Sequence, residues 1–115
     1  MPKEREEQFA EILNEALDSG LLLLGESARK AIYFHLKKDF SITKENAAGR
    51  MEAFARGLES IFGAGALVIE RSILNVLYSK LELSYENNED SGFVESLKRA
   101  RDEWLNKVRL DVSLI

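Results

Sequence analysis

Two ionisable side chains stand alone on apolar helix faces in this sequence, and both could take part in proton transfer. Glu70 lies among apolar residues in a stretch with helical periodicity, and His35 lies in the same way in an earlier stretch. A carboxylate on such a face must be paired, hydrogen-bonded, protonated or in contact with water. We therefore expect Glu70 and His35 to form a buried polar pair. Arg29, Arg71 of a second copy or a tyrosine hydroxyl are the alternative donors to Glu70.

A catalytic pair of this kind would also need a pocket, a third polar group and donors for an oxyanion. No motif near Glu70 or His35 supplies them, and structural pairs perturb pKa values as well. The pair is therefore interpreted as structural. The chain has no Cys and a single His, which excludes cysteine-based and multi-histidine metal sites. We predict no catalytic residues, no cofactor and no metal site.

Three short motifs resemble sites for ions or phosphates. The Gly-Ala-Gly motif at 63–65 precedes a helix, but phosphate-binding turns normally follow a strand, so a tight corner between helices is expected. The acidic segment 86–90 lacks the ligand spacing of a calcium loop. Lys98, Arg99 and Arg101 form a weak basic patch. Acidic neighbours on the same helix favour a solvated face with ion pairs instead.

Helical periodicity runs along almost the whole chain, and alternating strand patterns are nearly absent. The pattern predicts an all-α fold, a compact bundle of about five helices in a single helical domain over 1–115. The expected helices cover 2–19, about 26 to Lys38 or Phe40, 43–62 with a bend near Gly49, 65–81 and 92–110, with a loop at 85–91. Gly20 and Gly63 are expected to end helices, and Thr43 to cap one.

The fourth predicted helix, at about 65–81, is the central one because its apolar arc spans roughly 200°, about twice what packing on one side requires. Either other helices contact it on two sides, or a second copy of the protein covers part of the arc. We predict a homodimer; the alternative is a monomer whose first and last helices cover the arc. The candidate interface residues are Leu67, Ile69, Ile73, Leu74, Val76, Leu77 and Tyr78.

Charge and hydropathy limit the function further. The net charge of −4 over 115 residues argues against nucleic-acid binding as the main role, because affinity for phosphates comes mainly from Lys and Arg. The N-terminus is charged from Lys3 onward and lacks the apolar stretch of a secretory signal. The longest apolar tract, 61–69, is shorter than the roughly 20 residues of a membrane span. We expect a cytoplasmic protein with no membrane segment.

Two segments taken together, LGESARKAIYFHLKKDFSI and FARGLESIFGAGALVIERSILNVLYSKL, resemble the archaeal signalling output domain of the Nitrosopumilus type. The shared features are a Leu-Gly-Glu-Ser opening, an Ala-Ile-Tyr helix, an Ile-Phe-Gly-x-Gly-Ala corner and a Val-Ile-Glu helix, within about residues 24–81. The resemblance implies a small all-helical module, often attached to receiver or sensor domains, that acts as an interaction or output element. It assigns no catalytic residues to this sequence. The helices at 2–19 and 92–110 are then additions to this kernel.

Three functions are compatible with these features. The first is a non-enzymatic protein-interaction or regulatory output module of a signalling system, which self-associates and binds a protein partner. The second is a transcription-linked helical protein that binds nucleic acid through Lys98, Arg99 and Arg101. The third is an enzyme that uses His35 and Glu70, which requires both side chains in one solvent-connected pocket.

Overall fold

Five α-helices make up the fold in the computed structural model, which describes residues 4–85 and 92–113, with side chains to position 109. The helices are α1 (Arg5–Leu22), α2 (Glu26–Phe40), α3 (Met51–Phe62), α4 (Ala66–Lys80) and α5 (Phe93–Ser113). No strand occurs in these residues, so the predicted all-α fold is confirmed. The predicted loop at 85–91 lies outside the described residues from position 86 onward, as does the acidic segment 86–90.

Helices α1 and α4 pack against each other in opposite directions, although they are distant in sequence. Lys80 Nζ lies 3.4 Å from Glu15 Oε2 near one end of the pair, and Gly20 lies against Ile73 near the other. The buried side of α1 consists of Phe9, Leu13, Ala16, Leu17, Gly20 and Leu21. Helix α1 thus covers much of the apolar arc of α4.

Gly20 has a different role from the one predicted. The sequence predicts that it ends the first helix, but α1 continues to Leu22. A Cβ built on Gly20 would lie 2.6 Å from Ile73 Cγ1 and 3.1 Å from Ile73 Cα. Gly20 therefore allows close approach of two helices, and this packing overrides the poor helix propensity of glycine.

Helices α2 and α3 form a second pair that runs in opposite directions. Leu36 fills the space above Gly57, and Arg50 Nη1 donates hydrogen bonds to the carbonyl oxygens of Phe40 at 3.0 Å and Ser41 at 2.8 Å. Ser41 has a left-handed backbone with φ of 56°, a conformation that commonly ends a helix. The predicted end of the second helix at Phe40 is confirmed.

The connection from α2 to α3 is less helical than predicted. Thr43 and Asn46 cap each other: the Thr43 N–H donates to Asn46 Oδ1 at 2.8 Å, and the Asn46 N–H donates to Thr43 Oγ1 at 3.3 Å. The sequence predicts that Thr43 caps the third helix, and this prediction is wrong, because Arg50 occupies the N-cap position of α3. The capped segment is only a turn followed by a 3₁₀ helix at Ala47–Gly49, and α3 begins at Met51.

Gly63 ends α3, as predicted, with φ of 56° and ψ of −130°, a conformation that other residue types avoid. A 3₁₀ helix at Gly63–Gly65 leads into α4. The 30 residues Met51–Lys80 are long and apolar enough, by composition, to cross a membrane. Because the backbone leaves the α-helical region at Gly63, these residues form two α-helices joined at a corner and not one straight rod.

Helix α5 completes the core by packing on α3 and α4. The Phe93 ring lies 6.4 Å from the Phe54 ring of α3, measured between centroids. The Tyr78 hydroxyl of α4 donates a buried hydrogen bond of 2.8 Å to the Ser96 carbonyl oxygen. Leu97 and Ala100 are buried on the same side of α5. The last helix is therefore part of the core.

Candidate functional site

The predicted polar pair of His35 and Glu70 is not formed. The His35 side chain is exposed on α2, and its ring lies edge-on to Phe34 with centroids 5.7 Å apart. Only Ile32 and Leu36 are buried on α2, and a residue one position before Leu36 is rotated by about 100° from it. The prediction that His35 is buried is therefore wrong, because the buried stripe of α2 is narrower than the apolar pattern indicated.

Glu70 is half-buried on α4 and has no hydrogen-bond or ion-pair partner in the part of the chain that the structure describes. Burial raises the pKa of the Glu70 carboxyl group above its ordinary value, and the nearby charge of Glu59 raises it further. Arg29, one of the predicted donors, binds Asp18 instead. Among the residues that the structure describes, no hydrogen bond or ion pair offsets the cost of ionising Glu70.

At concentrations at which the chain is monomeric, we expect Glu70→Gln to stabilise the fold at neutral pH by a few tenths of a kcal/mol, the scale of a partly exposed site. A carboxyl group with a raised folded-state pKa retains its proton longer in the folded than in the unfolded chain, so stability falls as pH rises from the unfolded-state to the folded-state value. Urea unfolding should show that the loss of stability between about pH 4 and about pH 7 is smaller for Glu70→Gln than for the unmodified chain. Glu52→Gln is the control at an exposed site on α3. An equal loss of stability in Glu70→Gln and in the unmodified chain would contradict the expectation.

A half-buried ionic cluster joins α1 to α2, and the sequence did not reveal it. Arg29 Nη1 donates to both carboxylate oxygens of Asp18, at 2.9 and 3.0 Å. The Tyr33 hydroxyl lies 3.4 Å from Asp18 Oδ1, and Lys44 Nζ lies 3.5 Å from the same oxygen. Burial first, and then the Asp18 charge, raises the pKa of Tyr33 to about 12. The Tyr33 hydroxyl thus stays protonated at neutral pH and acts as a donor, which indicates a structural cluster.

The predicted basic patch is divided between two sides of α5. Lys98 and Arg101 line a cavity of about 470 Å³ between α1, α3 and α5. Arg99 lines a smaller pocket of about 280 Å³ with Tyr78 and Glu103. Lys98 and Arg101 are three positions apart and share a helix face, whereas Arg99 points to another side of the helix. The prediction of one surface formed by Lys98, Arg99 and Arg101 is therefore wrong.

The predicted interface on α4 lies mostly inside the chain. Leu67 is 51% exposed and Val76 is half-buried. The other members are buried: Ile69, Ile73, Leu74, Leu77 and Tyr78. These five side chains cannot meet a second folded copy, because the chain's own helices already cover them. The interface prediction is corrected for these residues, while the predicted homodimer itself stays a prediction.

A different apolar surface is exposed at one end of the bundle. Because α1 runs opposite to α4 and α2 runs opposite to α3, the α1–α2 connection and the α3–α4 corner lie at the same end. Six large apolar side chains near this end are exposed, among them Leu23 at 72% and Val68 at 66%. We refer to them as the apolar end face, which consists of Leu22, Leu23, Leu24, Phe62, Leu67 and Val68. Single exposed apolar residues are normal, whereas several at the same end of a bundle form a candidate interaction surface.

Comparison with known proteins gives no match to a protein-family model, to a curated protein or to a solved structure. Within the described residues, no group of three or more His, Asp and Glu side chains is arranged to hold a metal ion. The resemblance of residues 24–81 to the archaeal output domain stays a prediction.

Proposed function

We propose that the protein is a non-enzymatic interaction module that self-associates through its apolar end face and serves as a regulatory output element of a signalling system. The exposure of six large apolar side chains at one end of the bundle supports this proposal. The signalling role is the one implied by the resemblance of residues 24–81 to the archaeal output domain.

Covering the apolar end face is energetically favourable. Transfer of a Leu or Val side chain from water to a packed interface contributes roughly 1.5–3 kcal/mol. Leu23 and Val68 are the most exposed large aliphatic side chains in the described residues. Their covering would supply a central apolar contact, which is the part of an interface that contributes most to affinity.

A second copy of the chain fits the charges around the apolar end face. Glu26 Oε1 lies 3.7 Å from Lys30 Nζ at the start of α2, and Glu59 and Arg71 lie near the α3–α4 corner. A two-fold interface places the same patch against itself, and a rim that carries both signs allows opposite charges to face each other. Arg71 of the second copy is then the donor that we propose for Glu70.

The oligomeric state tests this proposal. We expect the unmodified chain to form a dimer in light scattering over a concentration series. The double variant Leu23→Glu/Val68→Glu should weaken dimerisation by at least about 30-fold, as expected for substitutions at the centre of an interface. Phe34→Glu is the matched control, because Phe34 is 63% exposed but lies in the middle of α2.

Circular dichroism should show equal helix content in all variants, because the substituted side chains are exposed. A chain that is monomeric at every concentration would contradict the proposal. So would a dimer that Phe34→Glu disrupts and Leu23→Glu/Val68→Glu does not. Co-sedimentation of a monomeric chain with phosphatidylcholine vesicles, abolished by Leu23→Glu/Val68→Glu, would identify the apolar end face as a membrane contact and would also contradict self-association.

A further inference from the structure

A cavity lies far from the apolar end face, where α1, the start of α3 and the first turns of α5 meet. Its volume is about 470 Å³, within the range of roughly 300–1,000 Å³ that is usual for small-molecule sites. Phe9 and Leu13 of α1, Met51 of α3, and Val94 and Leu97 of α5 form an apolar wall. The wall can therefore accept an apolar group of limited size.

Basic side chains converge on the same cavity. Arg50, Arg56, Lys98 and Arg101 line it, together with one acidic residue, Glu52. The chain as a whole carries a net charge of −4, so the sign of the charge at this cavity is opposite to that of the protein. A concave site lined by one sign of charge attracts ligands of the other sign.

Two of these cations are occupied by the protein and two are not. Arg50 binds carbonyl oxygens at the end of α2, and Arg101 forms an ion pair with Glu6 of α1. Arg56 and Lys98 have no ion-pair or hydrogen-bond partner among the residues that the structure describes. Both side chains are exposed, so their charged groups can reach a ligand without breaking an existing contact.

The first turn of α3 adds further donors to the cavity. Met51, Glu52 and Ala53 line it, and no side chain caps this helix. The first N–H groups of a helix have no partner inside the helix, and its N-terminal end carries a partial positive charge. These groups reinforce the preference for an anion that the side chains of Arg56 and Lys98 establish.

We infer that this cavity binds a small amphipathic anion: a carboxylate or phosphate monoester attached to an apolar chain or ring. Arg56 and Lys98 hold the anionic group at the mouth, and the apolar part lies against Met51 and Val94, the half-buried members of the apolar wall. An extended nucleic acid does not fit this arrangement, because half of the wall is apolar and Arg99 lies on another side of α5.

Decanoate, used below the concentration at which it forms micelles, is the probe. Trp104 is the only tryptophan, and its ring lies 6.0 Å from the Phe9 ring of the cavity wall, so its fluorescence reports occupancy. We expect saturable binding of one decanoate per chain. Chemical shifts in an NMR titration should change at Val94 and Leu97 and not at Leu23 and Val68. Decyltrimethylammonium, which has a similar apolar chain and the opposite charge, should bind at least about fivefold more weakly.

Two variants separate the charge from the apolar wall. Arg56→Gln/Lys98→Gln should weaken decanoate binding by about fivefold, the effect of two partly exposed charge contacts. Lys37→Gln/Lys38→Gln removes the same charge from exposed positions on α2 that do not line the cavity, and should change binding by less than about twofold. Val94→Phe should weaken decanoate binding by narrowing the apolar wall while the charges stay in place.

Results of three kinds would overturn the inference. The first is the absence of saturable decanoate binding to the unmodified chain. The second is equal affinity for decanoate and decyltrimethylammonium, or no effect of Arg56→Gln/Lys98→Gln. The third is chemical-shift changes confined to Leu23 and Val68, which would mean that the probe binds the apolar end face. Failure of self-association would leave each of these readouts unchanged, since the two surfaces lie at different ends of α3.

Discussion

Phe54→Ala is expected to lower the free energy of unfolding by about 3–5 kcal/mol, which is the usual cost of removing a fully buried aromatic ring. Phe54 lies on α3 with none of its surface exposed, and its ring packs against Phe93 of α5. Removal of the ring leaves a cavity between α3 and α5, which pack against each other but are separated in sequence by α4. A loss of this size is a large part of the roughly 5–15 kcal/mol that stabilises a typical domain.

Phe34→Ala is the matched control for this substitution. The same side chain is removed, but Phe34 is exposed on α2, so stability should change by less than about 0.5 kcal/mol. Urea unfolding followed by circular dichroism measures both effects. If the two variants unfolded at the same urea concentration, the placement of Phe54 in the core would be wrong.

Gly20→Leu is expected to lower the free energy of unfolding by about 2–3 kcal/mol. Helix propensity favours Leu over Gly by roughly 0.8 kcal/mol, so propensity alone predicts a more stable protein. Packing acts in the opposite direction, because the new Cβ would lie 3.1 Å from Ile73 Cα as well as 2.6 Å from Ile73 Cγ1. A side chain can rotate away, but a backbone atom moves only with its helix, so we expect overpacking to exceed the gain.

Ser19→Leu places the same residue one position earlier on α1, where the side chain is exposed. It should leave stability unchanged or raise it by a few tenths of a kcal/mol, since only the propensity changes. Thermal unfolding of both variants separates the two effects. A Gly20→Leu protein as stable as Ser19→Leu would contradict the close approach of α1 and α4.

Local features of the sequence predicted most of the helices. The repeat of apolar residues at three- and four-residue spacing located α1, α4 and α5, because this spacing depends only on helix geometry. Gly63 was identified as a stop, since a helix end depends on residues within a few positions of it. Thr43 was expected to cap the third helix, but that helix begins at Met51. The boundaries of these elements differ from the prediction by a few residues or less, except for the third helix.

Features that depend on two distant segments were not predictable. Gly20 resembles a helix stop until Ile73 is known to lie against it. The contact of Asp18 with Arg29 connects two helices at no fixed spacing. His35 was placed in the core because its neighbours are apolar, yet only the position of α3 and α1 relative to α2 decides which of those neighbours is buried. The apolar end face and the cavity also combine residues from several helices.

The pairing of α1 with α4 has a consequence for how the chain is made. Glu15 and Lys80, which are in contact, are 65 positions apart. Synthesis at about 5–20 residues per second separates their appearance by roughly 3–13 seconds, whereas α2 can pair with α3 soon after both have emerged. During this interval, the part of the apolar stripe of α1 that packs on α4 is uncovered, and a long loop must then close before it is covered. The face of the first helix that packs on α4 thus stays uncovered until the fourth helix has been made.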